Sequence, residues 1–562
     1  MSGLHSTLSG IGVSAGVAVG PLVIVSPPAT APSGEAPVTD PAAASVLVRD
    51  TLQAVADGYL AKAANADAHA KPILEAGAMM AGDPGLAGAI DTQLQSGTKG
   101  ITNAVSAAVD EYCAMFESLG GYMAERVTDL RDVRDRTVAR LLGQPEPGVP
   151  TLTTPSVLAA VDLAPAETAT LTVETCLGII TSAGGPTSHT AILAAQLGIP
   201  AIVQATGILD VPFGTNVALD GGVGEIIIDP SEAEQQALAD RKARREKALA
   251  AGSGRGMTKD GHPVALLANI GTAADARKAA AQDVEGVGLF RSEFLFLDRD
   301  TAPTVEEQTA TYTEVLEAFG DRKVVVRTLD AGADKPLAFA DLGHEENPAL
   351  GRRGIRLGAV RLDLLDDQLQ ALANAQQATG GDLWVMAPMI ATRQEARWFA
   401  EKVRAVGLPK VGVMIEVPAA ALRSFDVLSE VDFASLGTND LGQYTMAADR
   451  MQGELSALLD IWQPALLDVI YYACDGGAKT GHPVGVCGES GGDPVMALVL
   501  AGLGVASLSM APSKVRAVRT ALALHTLAQC QQMAAAARAS AGPKEAREVV
   551  LSMADPIMLD LM

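Results

Sequence analysis

The sequence predicts a multidomain α/β protein, in which an α/β domain with an inserted helical bundle precedes a C-terminal (β/α)8 barrel of the TIM type. Three observations lead to this fold class. The chain has 562 residues, which exceeds the usual size of a single core. Within residues 1–230, short apolar runs flank a long helical pattern. Beyond Met257, eight strand-like runs are separated mostly by helical patterns.

The α/β domain is predicted to comprise two separate segments, residues 1–25 and 145–230. The first contains the strand pattern with glycine bends at 11–25, and apolar runs return beyond a proline-rich linker at 143–150. Between the two segments, residues 42–143 have a helical pattern rich in Ala and Leu. The simplest architecture is a helical module inserted after the first strand.

A charged segment connects the two halves of the chain. Residues 231–256 are predicted to form a linker helix that ends in a flexible, glycine-rich hinge at 252–256. Its basic run, 241–247, is interpreted as a solvated helix surface rather than a contact for an acidic partner. The barrel is then predicted at 257–540, with a C-terminal tail at 541–562.

Polar residues follow the strand-like runs of the barrel at the same position of successive units. The runs are 263–270, 284–290, 324–330, 383–389, 411–416, 432–437, 483–487 and 505–509. Their C-terminal ends carry Asn269, Arg291, Arg327 with Asp330, Glu416, Asn439 with Asp440, and Cys487 with Glu489. Because such a barrel builds its site from the C-terminal strand ends, these residues are predicted to line a single mouth.

Basic side chains in this region are typical of a site for a small, multiply charged anion. The candidates are Arg291, Arg327, Lys335, Arg353 and Arg450. Guanidinium groups match the geometry of phosphate and carboxylate oxygens. A single arginine is more often part of a surface ion pair, but the shared position of this set at strand ends favours ligand binding.

Two carboxylates and one thiol complete the predicted mouth. Glu416 and Asp440 follow adjacent strands and could share a Mg²⁺ ion, which takes few carboxylates together with substrate oxygens and water. Either could instead pair with a neighbouring arginine. Cys487 is open to two interpretations, because a buried cysteine can act as a small hydrophobic residue or as a catalytic group.

A glycine-rich turn places His189 in the first turn of a predicted helix. Thr187 or Ser188 can cap this helix, and Gly198 ends it. The free N–H groups and positive dipole end of a helix favour a neutral imidazole first and an anionic phosphohistidine afterwards. A lone histidine can also lie buried against its own helix. Because the barrel predicted elsewhere in the chain can bind phosphate, the interpretation of His189 as a phosphoryl acceptor is favoured.

Composition and charge exclude several other classes of protein. The net charge of −24 and the pI near 4.7 argue against nucleic acid as a partner. No Lys or Arg precedes Arg49, so the charged region of a signal peptide is absent, and no uninterrupted apolar stretch is long enough for membrane insertion. The five cysteines include no CxxC pair, which is typical of a reduced, cytoplasmic protein without a zinc site or disulfide framework.

The motifs of the chain resemble those of a known family, enzyme I of the phosphoenolpyruvate:sugar phosphotransferase system. The matching segments are Gly184–Val203 (with Gly-Gly-Pro-Thr-Ser-His-Thr-Ala-Ile), Gly288–Leu297, Arg327–Asp330, Asn347–Arg353, Asp432–Leu441 and Val486–Glu489. The resemblance extends from Gly10 to about Pro512 and includes the helical module. It implies a swivelling phosphohistidine domain, a barrel that binds phosphoenolpyruvate, and transferase activity.

The resemblance also implies a role for individual residues. His189 would accept the phosphoryl group of phosphoenolpyruvate, Thr168 would hydrogen-bond that histidine, and Cys487 would protonate the enolate to pyruvate. Substrate would be held by Arg291, Arg327, Asn439, Asp440 and Arg450, with Lys335 and Arg353 in support. Glu416 and Asp440 would bind Mg²⁺.

Two partners follow from the same resemblance. The inserted helices would dock HPr, the small histidine-containing carrier that receives the phosphoryl group next. The barrels would pair into a homodimer, and the α/β domain would swing between the barrel and the carrier.

Three positions depart from the family pattern. Ala195 and Pro186 stand where the family often has arginine, which predicts a weaker hold on the transferring phosphoryl group. Arg352 stands in place of a usual tryptophan and is expected to compensate within the barrel.

Two alternative functions were weighed against this one. A pyruvate-phosphate dikinase or phosphoenolpyruvate synthase resembles the same histidine domain and barrel, but this chain has no GxxxxGK[ST] loop and little room for a nucleotide domain. A non-catalytic phosphoenolpyruvate sensor would have no need of His189 or Cys487.

Overall fold

The computed structural model of the chain consists of two compact units, Met1–Asp240 and Arg241–Met562. The structure describes residues 5–25, 29–64, 70–119, 126–150, 152, 154–163, 171–172, 174–185, 188–250, 252–297, 299–331, 337–340, 343, 345–450 and 452–561. The prediction of a multidomain α/β fold with a C-terminal barrel is confirmed.

The first unit contains an eight-stranded mixed sheet. Its strands are Ser6–Ser9 (β1), Ile11–Ser14 (β2), Val17–Ile24 (β3), Ser156–Ala160 (β4), Cys176–Thr181 (β5), Ala201–Val203 (β6), Asn216–Asp220 (β7) and Glu225–Ile228 (β8). They follow the order β1-β8-β7-β3-β4-β5-β6-β2. The central strands β3 to β6 run parallel, and β4 is buried along its whole length, as its continuous apolar sequence requires.

Helices fill the chain between β3 and β4. They are Pro41–Ala63, Ala70–Ala81, Pro84–Gln95, Ile101–Leu119 and Val127–Leu141. Their apolar residues form a core of their own, which includes Leu52, Ile90 and Val109. Asp40 and Asp83 cap the first and third of these helices, each directly before a proline in the first turn.

The charged segment after β8 is a single helix, Glu232–Ala250. The glycine run that follows it makes two backbone hydrogen bonds to acidic side chains. The Gly254 N–H donates to Asp283 Oδ2 at 2.8 Å, and the Gly256 N–H donates to Glu285 Oε1 at 2.8 Å. These bonds attach the run to the second unit, and the flexible break at 252–256 stays a prediction.

Eight parallel strands close the barrel of the second unit. They are Ala265–Ile270 (β9), Gly286–Arg291 (β10), Lys323–Arg327 (β11), Leu383–Ala387 (β12), Val411–Ile415 (β13), Phe433–Leu436 (β14), Val484–Val486 (β15) and Ser507–Met510 (β16). β16 pairs with β9 and completes the ring. Each strand lies within or overlaps one of the eight runs predicted from the sequence. Leu289, Val325, Met386, Met414 and Phe433 fill the interior of the barrel.

Helices surround the barrel and extend to the C-terminus. They are Ala273–Ala280, Val305–Phe319, Ile355–Val360, Leu362–Thr379, Arg393–Ala405, Pro418–Leu422, Ser424–Leu428, Thr438–Met446, Pro464–Thr480, Pro494–Gly502, Val515–Leu524, Leu527–Ala539, Pro543–Met553 and Met558–Leu561. The predicted tail at 541–562 contains the last two helices, and Val550, Met558 and Leu561 are buried in the core of the barrel unit. Through residue 561 the segment is therefore part of that unit rather than a separate tail.

None of the helices in the described part of the chain is both long and apolar enough to cross a membrane.

Candidate active site

A cavity of about 240 Å³ opens at the carboxyl ends of the barrel strands. It is lined by Leu289, Arg291, Glu293, Arg327, Asp330, Arg353, Met414, Glu416, Gly437, Asn439, Asp440, Arg450, Cys487, Gly488 and Glu489. Parallel strands bring their carboxyl ends to one edge, so residues far apart in the chain meet there. The predicted convergence of polar side chains on a single mouth is observed, except that Asn269 does not line the cavity.

Arg327, at the end of β11, is held between two buried carboxylates. Its Nη2 lies 2.6 Å from Glu293 Oε1, and its Nη1 lies 2.9 Å from Asp330 Oδ2. Burial disfavours the charged guanidinium, but the attraction of Asp330 and Glu293 outweighs it, so the pKa of Arg327 is raised. Arg327 is therefore a permanent, oriented positive charge in the wall of the cavity.

Arg353 joins the carboxylates that follow two different strands. Its Nη2 lies 3.1 Å from Asp330 Oδ2 and 3.3 Å from Asp440 Oδ2. Arg450 approaches the same Asp440 at 3.6 Å. The pairing of Asp440 with neighbouring arginines, which was the alternative to a metal-binding role, is thus observed, while Asp440 also lines the cavity.

Glu416, directly after β13, is fully buried beside these groups. Its Oε1 accepts a hydrogen bond from the Met389 N–H at 2.5 Å. Burial and the negative charges of Asp330 and Asp440 raise the pKa of Glu416, despite the opposing effect of Arg327 and Arg353. Burial, the largest of these causes, favours the neutral carboxyl group of Glu416, and the two neighbouring carboxylates act in the same direction.

The pair Glu416 and Asp440 fits a divalent cation. A cation between them would relieve the repulsion that raises the pKa of Glu416. No group of three or more His, Cys, Asp or Glu side chains in the described ranges is arranged to hold a metal. Mg²⁺ suits a site of two carboxylates, because it commonly completes its shell with water and substrate oxygens.

Cys487 follows β15 and lies in the wall of the cavity. Its thiol donates to the Leu436 carbonyl with Sγ and O 3.6 Å apart. Burial raises the pKa of Cys487 to about 11, although a hydrogen bond from Ser435 and the charge of Arg327 oppose the shift. At neutral pH the thiol therefore keeps its proton and can donate it to a neighbouring base.

Two asparagines order the loops beside the thiol. Asn269 Nδ2 donates to the Cys487 carbonyl at 3.1 Å. Asn439 Oδ1 accepts the Glu489 N–H at 3.3 Å, which leaves its amide nitrogen as a donor for a ligand. Asn439 thus lies at the mouth of the barrel, where the sequence predicts it.

In the first unit, the helix His189–Leu197 begins at the predicted histidine. Ser188 caps it by accepting the Ala191 N–H at 3.3 Å, and Gly198 ends it in the left-handed conformation. Thr190 Oγ1 donates to Asp162 Oδ1 at 2.8 Å, which ties this helix to the loop after β4. For His189 the structure describes the backbone, which lies at the helix start.

Several predicted residues lie elsewhere. Thr168, Lys335 and Pro186 lie outside the described residues. Arg352 does not line the cavity, because its Nε pairs with Glu345 Oε1 at 2.8 Å and its side chain is 43% exposed. The expectation that Arg352 compensates within the barrel is therefore wrong.

The sequence analysis missed two residues of this site. Glu293 was not singled out, although it stands only two residues after the strand-end Arg291 and pairs with Arg327. Met389 was missed because its contribution is a backbone N–H in a left-handed conformation, with φ of 60°. No local residue pattern indicates that conformation for a methionine.

Three family models match the chain in succession. They are the PEP-utilising enzyme N-terminal domain at 9–126, the PEP-utilising enzyme mobile domain at 152–224 and the PEP-utilising enzyme PEP-binding domain at 245–527. Together with the barrel cavity, these matches define a phosphoenolpyruvate-utilising enzyme. Enzymes of this class are in general metal-dependent.

Curated relatives narrow this class to one family. The chain is 49% identical over 551 residues to the phosphoenolpyruvate-protein phosphotransferase of Streptomyces coelicolor, which covers 97% of this chain and 98% of that protein. It is 40% identical over 479 residues to the protein of the same name from Haloferax volcanii, covering 82% of this chain and 83% of that one. A multiphosphoryl transfer protein of Xanthomonas campestris is 43% identical over 443 residues, or 76% of this chain and 52% of that protein. The chain belongs to the phosphoenolpyruvate-protein phosphotransferase family, the enzymes I, and is a phosphotransferase.

Proposed function

We propose that the chain transfers the phosphoryl group of phosphoenolpyruvate to His189, releases pyruvate, and then passes the group to a histidine of HPr. The observation that carries this proposal is the buried cluster of Arg327, Arg353, Glu416 and Asp440 in the barrel cavity. Such a cluster combines fixed cations for an anionic substrate with two carboxylates for a metal ion.

The substrate is held by cations around the cavity. Arg291, Arg327 and Arg450 line it and match the carboxylate and phosphate oxygens of phosphoenolpyruvate. Asn439 adds a neutral donor, and Arg353 with Lys335 support the set. Because buried carboxylates already orient Arg327, little reorganisation is needed when negative charge develops during transfer.

Glu416 and Asp440 would hold Mg²⁺, which would neutralise charge on the substrate oxygens when bound. The position of both carboxylates in the lining of the same cavity supports this assignment.

The transfer itself breaks the bond between phosphorus and the enol oxygen while a bond forms between phosphorus and the imidazole of His189. The electron pair of the broken bond stays on the enol oxygen. Cys487 then gives its thiol proton to the methylene carbon of the enolate, which yields pyruvate, and the thiolate regains a proton from solvent. The raised pKa of Cys487 keeps this proton available at neutral pH. By the family resemblance, Thr168 would hydrogen-bond His189 and orient it.

The inserted helices would dock HPr, and the barrels would pair as a homodimer. Met79 and Met115 are 71% and 46% exposed on the helical module, where flexible apolar side chains suit a transient protein contact. On the barrel unit, Leu422 and Phe425 are 59% and 51% exposed on two successive short helices. The α/β domain would swing on the linker helix and glycine run at 231–256, as the sequence predicts.

Incubation with ³²P-labelled phosphoenolpyruvate and Mg²⁺ tests this function. The wild-type chain should gain an acid-labile, base-stable label that moves to added HPr, whereas His189→Ala should gain none. Label on the His189→Ala variant, or label that HPr cannot remove, would contradict the proposal.

A further inference from the structure

Met389 adopts a backbone conformation that is costly for a residue with a side chain. It has φ of 60°, is 1% exposed, and lies two residues after the end of β12. The left-handed region brings Cβ close to the following carbonyl oxygen, so such residues persist only where their surroundings impose the conformation. Strain of this kind next to a residue of the cavity, Glu416, indicates that the surrounding structure imposes the conformation.

The strained residue delivers a hydrogen bond to Glu416. The Met389 N–H donates to Glu416 Oε1 at 2.5 Å, and the bond is buried. The second oxygen of the same carboxylate lies over Gly437, where a Cβ would come within 2.8 Å of Glu416 Oε2. Glu416 is therefore fixed through one oxygen, while the backbone beneath its other oxygen carries no side chain.

Packing holds Met389 in the left-handed conformation. A Cβ at Gly354 would lie 3.0 Å from Met389 Cγ and 3.1 Å from Met389 Cβ, so the methionine occupies the space that this glycine leaves open. The hydroxyl of Tyr444 approaches Met389 Sδ at 3.9 Å from another side. Gly354 directly follows Arg353, which binds Asp440, so the two proposed metal carboxylates are connected through one set of contacts.

We propose that Met389 is a positioning residue for the divalent cation. Its side chain locks the turn, the turn presents the backbone N–H to Glu416 Oε1, and Glu416 Oε2 is left to face the cation. This inference rests on the proposed function, and it assigns to Met389 a role that acts through Glu416 rather than by contact with substrate.

A matched pair of substitutions tests the backbone role. Met389→Ala and Met389→Gly both remove the packing, but only glycine adopts positive φ without strain. Met389→Ala should therefore release the turn and weaken cation binding about tenfold. Met389→Gly should keep the cation affinity within about threefold of the parent chain, because the left-handed turn remains accessible.

The readout is the affinity for Mn²⁺, measured by electron paramagnetic resonance of free Mn²⁺ with saturating phosphoenolpyruvate. All variants carry His189→Ala, so that no turnover consumes the substrate. Equal affinities for the alanine and glycine variants would overturn the positioning role. Far-ultraviolet circular dichroism and thermal unfolding check that both variants are folded.

A third variant separates this inference from the proposed metal site. Glu416→Gln in the same background should weaken Mn²⁺ binding by more than Met389→Ala. If Glu416→Gln binds Mn²⁺ as the parent chain does, the metal site itself is wrong. If Glu416→Gln loses affinity but Met389→Ala does not, the site stands and the role of Met389 is wrong.

Discussion

In the proposed mechanism, the barrel cavity and the start of the helix His189–Leu197 bind the same phosphoryl group in different ways. The cavity holds Arg327 and Arg353 between buried carboxylates. The helix start offers backbone N–H groups, the Ser188 cap and the contact between Thr190 and Asp162. From 174 to 200 the sequence carries one acidic residue, Glu174, no lysine or arginine, and the one histidine, His189.

This difference suits the two tasks. A substrate with several negative charges must be captured and its developing charge stabilised, which calls for fixed cations. A histidine that carries a phosphoryl group must transfer it again. Strong binding by cations would stabilise the phosphohistidine too much for this second transfer. Binding strength is therefore concentrated in the barrel, while the helix start stays weakly charged.

The largest effect on activity is expected from the loss of Arg327 in the barrel cavity. Arg327→Met removes the central cation and leaves Glu293 and Asp330 unpaired, so kcat/KM for pyruvate formation should fall about 10⁴-fold. Coupled measurement of pyruvate release checks the rate, and thermal unfolding checks the fold. Arg352→Met, which removes an arginine outside the cavity, serves as the control and should stay within about twofold. A similar loss of kcat/KM in both variants would show that an arginine in the cavity matters no more for activity than one outside it.

Removal of the thiol proton should have the next largest effect. Cys487→Ala should slow pyruvate formation about a thousandfold, because protonation of the enolate loses its acid. Cys474→Ala is the matched control, since Cys474 is also buried with a raised pKa but lies in the helix Pro464–Thr480, outside the cavity. Comparable pyruvate rates for the two variants would remove Cys487 from the mechanism.

On the helix side, Asp162→Asn should have a moderate effect. The change weakens the bond from Thr190 and loosens the helix start, so phosphorylation by phosphoenolpyruvate should slow about tenfold. The affinity of the barrel for phosphoenolpyruvate should not change, which equilibrium binding to the full chain can show. Asp210→Asn, an exposed aspartate of the same unit, is the control. A loss of substrate affinity in Asp162→Asn would mean that the two regions do not divide their tasks in this way.

The smallest effect is expected at the opposite end of the barrel. A charge there should affect stability but not activity, in contrast to the charges of the cavity. Lys323 begins β11 and lies 3.7 Å above the Trp384 ring, and burial lowers the pKa of Lys323 to about 8. In the unfolded chain the pKa of a lysine is about 10.4. Between the folded pKa of about 8 and this value, the unfolded state therefore binds more protons than the folded state. The contribution of Lys323 to the free energy of unfolding should therefore rise with pH across this window, by about 1–2 kcal/mol.

Denaturant unfolding at pH 7.5 and pH 10 measures this effect as a difference between the wild-type chain and Lys323→Met. The wild-type chain should gain stability relative to the variant at the higher pH. Lys544→Met, which removes an exposed lysine, should show no such change. If the difference in the free energy of unfolding between the two chains stays constant or changes in the opposite direction with pH, the lowered pKa of Lys323 is contradicted. A changed kcat in Lys323→Met would show that charge at this end of the barrel also affects activity.

The two regions also differ in how far the sequence predicted them. The barrel strands were predictable because each is a short apolar run, and the strand-end positions of Arg291, Glu416 and Cys487 followed from the rule for parallel barrels. The helix at His189 was predictable because its cap and its terminal glycine lie within a few residues of it.

What the sequence did not reveal depends on contacts between distant residues. Glu293 is recognisable as part of the site only once β10 and β11 are neighbours. Residues 252–256 suggested a hinge through their glycines, but Asp283 and Glu285 bind their N–H groups. Local composition reports the freedom a segment would have alone, and tertiary hydrogen bonds reduce that freedom.

A single-turnover experiment tests most directly whether the barrel binds phosphoenolpyruvate while His189 accepts its phosphoryl group. Enzyme in excess over phosphoenolpyruvate is quenched at successive times, and pyruvate and phosphohistidine are counted in the same samples. We expect one phosphohistidine at His189 for each pyruvate, and neither product in His189→Ala. Pyruvate formed at the wild-type rate by His189→Ala would contradict this expectation.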